Sequence, residues 1–235
     1  MLFYKYMGTL FVVATPIGNL KDITSRALEI LQNVNLIACE DTRVTKILLN
    51  HYQIDTNCIS YHQHSNHGKI DFLIERLKAG EDIALVTDAG TPGISDPGGL
   101  LAQAAWREGI KVEPIPGASA ITAALSISGL PTDRFLFLGF LPQKKGRQTI
   151  LKEIVDSKIT VVFYESVYRI IKALEQLVEL NLDREVVVCR ELTKKFETIN
   201  RGMPKEVLEK VKADQNKGEF VVIISPNKYL FKKDK

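Results

Sequence analysis

Two hydrophobic patterns alternate along this chain. Short, nearly continuous apolar runs occupy residues 10–14, 36–39, 83–86, 135–138, 160–164, 185–189 and 220–224, and residues 111–115 read as a further strand. Runs of that length without polar alternation predict strands buried on both faces. Between them apolar residues recur at helical spacing. Ile23, Ala27, Leu28, Ile30 and Leu31 share a face behind an expected cap at Asp22. Ile70, Leu73, Ile74 and Leu77 follow the i, i+3, i+4, i+7 rule. A helix is expected over residues 100–108, ended by Gly109. Val167, Ile170, Ile171, Leu174, Leu177 and Val178 form the clearest helical face. Strand and helix in regular alternation predict an α/β fold. The cluster Pro114-Ile115-Pro116-Gly117 is the best boundary, dividing the chain into α/β domains over residues 1–116 and 117–235.

Composition narrows this picture without changing it. The 235 residues are 45% hydrophobic and 25% charged, ordinary for a globular protein. The net charge of +3 is compatible with an RNA partner but does not argue for one. Cys39, Cys58 and Cys189 are too few and too scattered for a disulfide framework. No apolar run reaches the length of a membrane span, and residues 1–6 lack the pattern of a secretory signal. A cytoplasmic protein is expected, with Met7 as an alternative start and a frayed basic tail at residues 228–235.

The most informative segment is Asp88-Ala89-Gly90-Thr91-Pro92-Gly93-Ile94-Ser95-Asp96-Pro97-Gly98-Gly99. It follows a buried strand directly, so the strand must stop abruptly and give way to a shaped loop. In open α/β sheets, ligands sit at such carboxyl ends. The first strand likewise opens into Ala14-Thr15-Pro16-Ile17-Gly18-Asn19-Leu20, which matches neither G-x-G-x-x-G nor the P-loop pattern. Pro116-Gly117-Ala118-Ser119-Ala120 opens a helix with small residues, against which a ligand could lie.

Charge gathers at three further strand ends: Glu40-Asp41-Thr42-Arg43, Glu165-Ser166-Val167-Tyr168-Arg169 and Arg190-Glu191-Leu192-Thr193-Lys194-Lys195. Each reads equally as caps with surface ion pairs or as a functional loop. Lys144-Lys145-Gly146-Arg147 reads as a Gly-containing basic loop suited to phosphate. His62 and His64 lie in a polar loop with no carboxylate or Cys constellation around them, so no metal site is expected.

Taken in order, these segments resemble the tetrapyrrole methylase superfamily of S-adenosylmethionine-dependent methyltransferases, and within it the branch that methylates small-subunit ribosomal RNA. Gly139-Phe140-Leu141-Pro142, Phe163-Tyr164-Glu165-Ser166 and Arg190-Glu191-Leu192-Thr193-Lys194 complete the match, which runs from about residue 9 to about 225. Any one motif is weak; seven in family order are specific. Gly93 stands where a bulky apolar residue is common, and Cys39 where Ala is usual.

The resemblance implies two α/β domains of the tetrapyrrole methylase type, not Rossmann-type, with the cofactor cleft between them. It implies S-adenosylmethionine as cofactor, held by Pro16, Ile17, Gly90, Thr91, Ile94, Ser119, Ala120, Leu141 and Tyr164. The substrate implied is 16S ribosomal RNA, within the small subunit, methylated on a cytidine ribose 2′-hydroxyl by a homodimer. Arg43, Lys144, Lys145, Arg147, Arg169 and Lys194 are the candidate RNA contacts. Methyl transfer needs alignment above all, and proximity and orientation can supply roughly 7–11 kcal/mol. The hydroxyl must also lose its proton, and Glu40, Asp41, Glu165 and Glu191 are candidate bases. Two other readings are carried forward: a tetrapyrrole ring C-methyltransferase, and a non-catalytic RNA-binding module of ribosome assembly.

Overall fold

The computed structural model describes residues 7–61, 67–96, 98–214 and 218–227, with nothing to be said of the His67 side chain. Pro97, His62, His64 and the basic tail, to which expectations were attached above, lie outside the described residues. The chain forms two compact units, Met1–Ser119 and Ala120–Lys235. The division falls after Ser119 rather than after Pro116. Gly117 lies so close to Ala14 that a Cβ there would stand 3.0 Å from the Ala14 Cβ, and the Ala118 carbonyl accepts from Thr91 Oγ1 at 3.2 Å. Those contacts tie the segment to the first unit.

The first unit runs β1 (Thr9–Val13), α1 (Ser25–Asn33), β2 (Leu36–Cys39), α2 (Thr42–His51), β3 (Cys58–Ser60), α3 (His67–Lys78), β4 (Ile83–Val86), α4 (Gly98–Arg107) and β5 (Lys111–Ile115). Its strands form a parallel sheet in the order β3-β2-β4-β1-β5. Alternate residues of β2 and β4 serve opposite faces. Ile37, Cys39, Ala84 and Val86 pack with Ala27 and Leu31 of α1 and with Leu48 and Leu49 of α2. Leu36, Ala38, Ile83 and Leu85 pack with Leu73, Ile74 and Leu77 of α3 and with Leu101 and Ala105 of α4. Burial on both faces is why these strands read as unbroken apolar runs.

Helix α1 starts two residues later than expected. A short 3₁₀ turn, Leu20–Asp22, precedes it, and the cap is Thr24, whose side chain accepts from Ala27 N. Asp22 lies within the 3₁₀ turn and does not cap α1.

The second unit runs α5 (Ala120–Ser128), β6 (Phe135–Phe140), α6 (Arg147–Asp156), β7 (Thr160–Ser166), α7 (Ile170–Glu179), β8 (Val186–Arg190), β9 (Thr198–Gly202), α8 (Pro204–Ala213) and β10 (Glu219–Ile224). Its sheet has the order β6-β7-β10-β8-β9. β6 and β7 are parallel, whereas β10 runs against both β7 and β8, and β9 against β8. Helices α6, α7 and α8 cover one face, burying Leu151, Ile154, Leu174, Leu177, Val207 and Val211 against Phe163, Val188 and Val222. Helix α5 packs on β10.

Candidate functional site

In the first sheet the chain leaves β1 toward β2 and leaves β4 toward β5, in opposite directions. α1, after β1, lies on one face and α4, after β4, on the other. β1 and β4 are neighbours, so their carboxyl ends form a topological switch point, the usual ligand position in such sheets. Both loops singled out in the sequence start there. They are tied together: Thr15 N donates to Gly90 O at 2.9 Å and Gly90 N to Thr15 O at 3.0 Å. The Thr15 hydroxyl donates to Thr87 O at 3.0 Å.

Gly90 has φ +85, and a Cβ there would stand 3.3 Å from Ile17 Cγ2. Only glycine adopts that backbone without strain. Downstream, Asp96 Oδ1 accepts from Gly93 N at 2.6 Å and from Gly98 N at 2.8 Å, which fixes the loop from inside. Pro16, Ile17 and Gly90 are buried, Thr91, Ser119 and Ala120 half-buried, and Ile94 is 46% exposed. Within the first unit the structure therefore brings Pro16, Ile17, Gly90 and Thr91 together around one backbone-rich turn.

Beside this turn lies an acidic cluster. Glu40 Oε2 accepts from the Thr87 hydroxyl at 2.9 Å, and Asp88 Oδ1 accepts from Asp41 N at 3.0 Å. Burial pushes the Asp88 carboxyl above its ordinary range. The neighbouring Glu40 and Asp41 charges add to that shift, and the bond from Asp41 N opposes it. Asp41 behaves oppositely. Its side chain caps α2 by accepting from Arg43 N at 2.8 Å, and it pairs with the Arg43 guanidinium at 2.5 Å. Those bonds hold its pKa down to about 2. Thr87 and Asp88 are partners that sequence reasoning left without a role. Their position, directly after an apolar strand, was the available signal.

In the second unit, β7 continues to Ser166, so Glu165 lies inside a strand rather than in the loop after it, and it is 1% exposed. It stands 2.8 Å from Arg169 Nε and 3.7 Å from Arg147 Nη1. The expected basic loop is also shorter, because α6 begins at Arg147. Arg147 is only 6% exposed, with Nε donating to Gln176 Oε1 at 2.7 Å and Nη1 to Pro142 O at 3.0 Å. Lys144 and Lys145 remain exposed. Arg169 Nη1 donates to the carbonyl of buried Leu141 at 3.1 Å. Tyr164 stacks edge-on against Phe137 at 5.1 Å, and burial pushes its hydroxyl up to about 12.

A hollow of about 350 Å³ opens here, lined by Gln143, Lys144, Arg147, Ser166, Tyr168, Arg169 and Lys172. Tyr168 was quoted in the sequence only as part of its charged segment, without a role, and Lys172 went unremarked. Their signal was their place beside Arg169, at the start of the α7 pattern.

Glu191 and Lys194 form a separate cluster. Lys194 Nζ lies 2.9 Å from Glu191 Oε1 and 3.0 Å from Glu219 Oε2. Burial works against both charges, yet the pairing outweighs it: Glu191 is shifted down and Lys194 up. Among the described residues no group of His, Cys, Asp and Glu could hold a metal ion.

Comparison with known proteins agrees with this architecture. The chain is 49% identical over 221 residues to the ribosomal RNA small subunit methyltransferase I of Halalkalibacterium halodurans, covering 94% of this chain and 76% of that protein. It is 43% identical to the protein of the same name from Thermotoga maritima, covering 93% and 99%. Among solved structures, a diphthine synthase superposes with TM-score 0.71 at 17% identity over 92% of this chain and 89% of that one. The uroporphyrin-III C-methyltransferase of Thermus thermophilus, complexed with S-adenosylhomocysteine, gives 0.64 at 18% over 93% and 97%. Residues 9–208 match the family described as Tetrapyrrole (Corrin/Porphyrin) Methylases, and the chain belongs to that family.

Proposed function

We propose that this methyltransferase uses S-adenosylmethionine to methylate ribosomal RNA of the small subunit, at the ribose 2′-hydroxyl of a cytidine in 16S RNA. The observation that carries the reading is the 49% identity, over 94% of the chain, to a relative named for small-subunit ribosomal RNA methylation. The site supports it. Pro16, Ile17, Gly90 and Thr91 surround a turn where a Cβ at Gly90 would crowd Ile17, the kind of cradle in which a ligand lies against backbone. These residues, with Ile94 and Ser119, are the first unit's proposed cofactor contacts; Ala120, Leu141 and Tyr164 are the second unit's. When bound, S-adenosylmethionine supplies an electrophilic methyl group.

The acceptor oxygen must give up a proton as its bond to carbon forms. Of the four candidate bases, Asp41, Glu165 and Glu191 are each held by a cation, from Arg43, Arg169 and Lys194 respectively. Glu40 is partnered by a neutral hydroxyl, that of Thr87. We therefore assign the proton to Glu40. Glu40→Gln should lower kcat at least tenfold and leave cofactor affinity within twofold.

Arg43, Lys144, Lys145, Arg169 and Lys194 remain proposed RNA contacts; Arg147 is enclosed, with Nε and Nη1 bonded within the protein. No helix of the described residues is long and apolar enough to cross a membrane. A cytoplasmic homodimer completes the proposal, and a monomer in sedimentation at micromolar protein would remove the dimer from it. The deciding experiment is transfer of labelled methyl to 30S particles and to naked 16S RNA, with the product nucleoside identified by mass spectrometry. A 2′-O-methylcytidine supports the reading. A base-methylated product, or turnover of a tetrapyrrole and not of RNA, overturns it.

A further inference from the structure

The hollow in the second unit carries more positive charge than the described residues around it neutralise. Lys144, Arg147, Arg169 and Lys172 line it. Among the described residues, the one carboxylate paired with any of them is Glu165, itself enclosed. Residues of two helix starts line the same space: Arg147 is the first residue of α6, and Arg169 is the N-cap of α7. Neither helix has a side-chain cap bond, and neither has an acidic residue in its first turn. Helix N-termini carry partial positive charge and favour Asp, Glu or a bound anion. Placing arginine at both is unfavourable in the free protein. Arg147 Nη2 is also buried without a hydrogen-bond partner, a group whose burial is costly while it stays unpaired.

We propose that this hollow seats a backbone phosphate of single-stranded RNA, with Tyr168 as the stacking surface for the adjoining base. The substrate class rests on the function proposed above; the seat rests on the geometry here. An anion would relieve the excess charge of the two helix starts. A volume of about 350 Å³ is larger than a phosphate needs and accommodates a nucleotide. Tyr168 is 93% exposed beside Arg169 and Lys172, so its ring presents an open face where a base would lie. Cations that track the backbone, together with an aromatic platform, are the usual means of holding single strands.

The test is a fluorescence-anisotropy titration of the full chain with a labelled twelve-nucleotide single-stranded RNA across a salt series. Lys144→Ala/Lys172→Ala should weaken binding at least tenfold at low salt. It should also flatten the slope of log affinity against log salt by up to about 0.7, the value for one phosphate contact on a single strand. Tyr168→Ala should weaken binding about fivefold or more with the slope kept. Lys145→Ala, outside the lining, should change both less than Lys172→Ala does. Calorimetric uptake of S-adenosylhomocysteine should match wild type in every variant.

Unchanged RNA affinity and slope in the double variant would overturn the seat. So would an effect of Lys145→Ala equal to that of Lys172→Ala, since the binding would then belong to a diffuse basic surface. Competition by cytidine 5′-monophosphate or inorganic phosphate as tight as the RNA itself would reassign the hollow to a free small anion. Methylation of 30S particles by wild type, measured in parallel, separates the two claims. Methylation with an unaffected double variant removes the seat alone. RNA held in the hollow by a protein that methylates no RNA removes the function alone.

Discussion

The carboxyl-end loops of the two units are built on opposite principles. In the first unit, β1 and β4 diverge into loops joined by backbone bonds between Thr15 and Gly90, with glycine where a side chain would intrude. In the proposed function, recognition there depends on shape and on neutral peptide groups. In the second unit, β7 ends among arginines and lysines arranged about one buried carboxylate, Glu165. In the proposed reading, recognition there depends on charge. The contrast teaches which substitutions should act on which ligand. A small intrusion should matter in the first unit, and a lost charge in the second.

The largest expected effect comes from breaking the second unit's internal balance. Glu165 has a side chain with no exposure and faces two guanidinium groups. Glu165→Ala leaves Arg147 and Arg169 facing one another without compensation. Loss of one partner from a buried ion pair costs about 3–5 kcal/mol. A denaturant melt followed by circular dichroism should show that loss. If Glu165 were instead the base of the reaction, Glu165→Gln would abolish turnover with an unchanged melt, and the contrast between the units would fail at its centre.

The next effect tests the shape principle. Gly90→Val should weaken S-adenosylhomocysteine binding at least a hundredfold by calorimetry. Strain alone would cost roughly 1–3 kcal/mol at φ +85, so a control is needed. Gly93 has φ +86, yet a Cβ there would meet only Gly99 N, at 3.7 Å. Gly93→Ala and Gly90→Ala share the strain and differ in where the methyl lies. Gly90→Ala should cost affinity at least tenfold more than Gly93→Ala. Equal losses would show that backbone strain, and not occupied space, governs the site.

The same contrast explains what was legible in the sequence. The inner strands β2, β4, β7, β8 and β10 are buried almost throughout, and burial writes a continuous apolar run. The edge strands β3 and β9 are mostly half-buried, and the residues of β9, Thr198-Ile199-Asn200-Arg201-Gly202, give no such run. The loops of the first unit were readable because glycine and proline mark where the backbone must turn. The charged clusters were ambiguous for a physical reason: a cap, an ion pair and a binding group use the same side chains. Asp41-Thr42-Arg43 proved to be the cap and first turn of α2. Arg147 read as part of an exposed loop because nothing local announces that α6 begins at it, with Gly146 in the left-handed conformation just before. The partners that bury it, Glu165 and Gln176, are distant in sequence, and only the fold brings them near.

The smallest expected effect concerns the acidic cluster of the first unit, where two adjoining carboxylates respond to pH with opposite sign. Asp41 is held at about 2, below its ordinary 3.8. Its contribution to stability is present above pH 3.8 and lost as pH falls through about 2. The Asp88 pKa is raised by burial, with Glu40 and Asp41 adding to the shift. Its favourable contribution is present below its unfolded value and lost as pH rises through the raised folded value. At neutral pH, then, the Asp88 charge works against the fold. Asp88→Asn keeps an oxygen to accept from Asp41 N and removes the charge beside Glu40. The variant should melt about 1–2 °C above wild type at pH 7, a fraction of a kcal/mol for a chain of this size. The two proteins should converge as pH falls below the ordinary carboxylate range, where wild-type Asp88 is protonated as well. A variant that melts lower at pH 7 would mean that the Asp88 charge is needed where it stands. The first unit's loops would then depend on charge as the second unit's do.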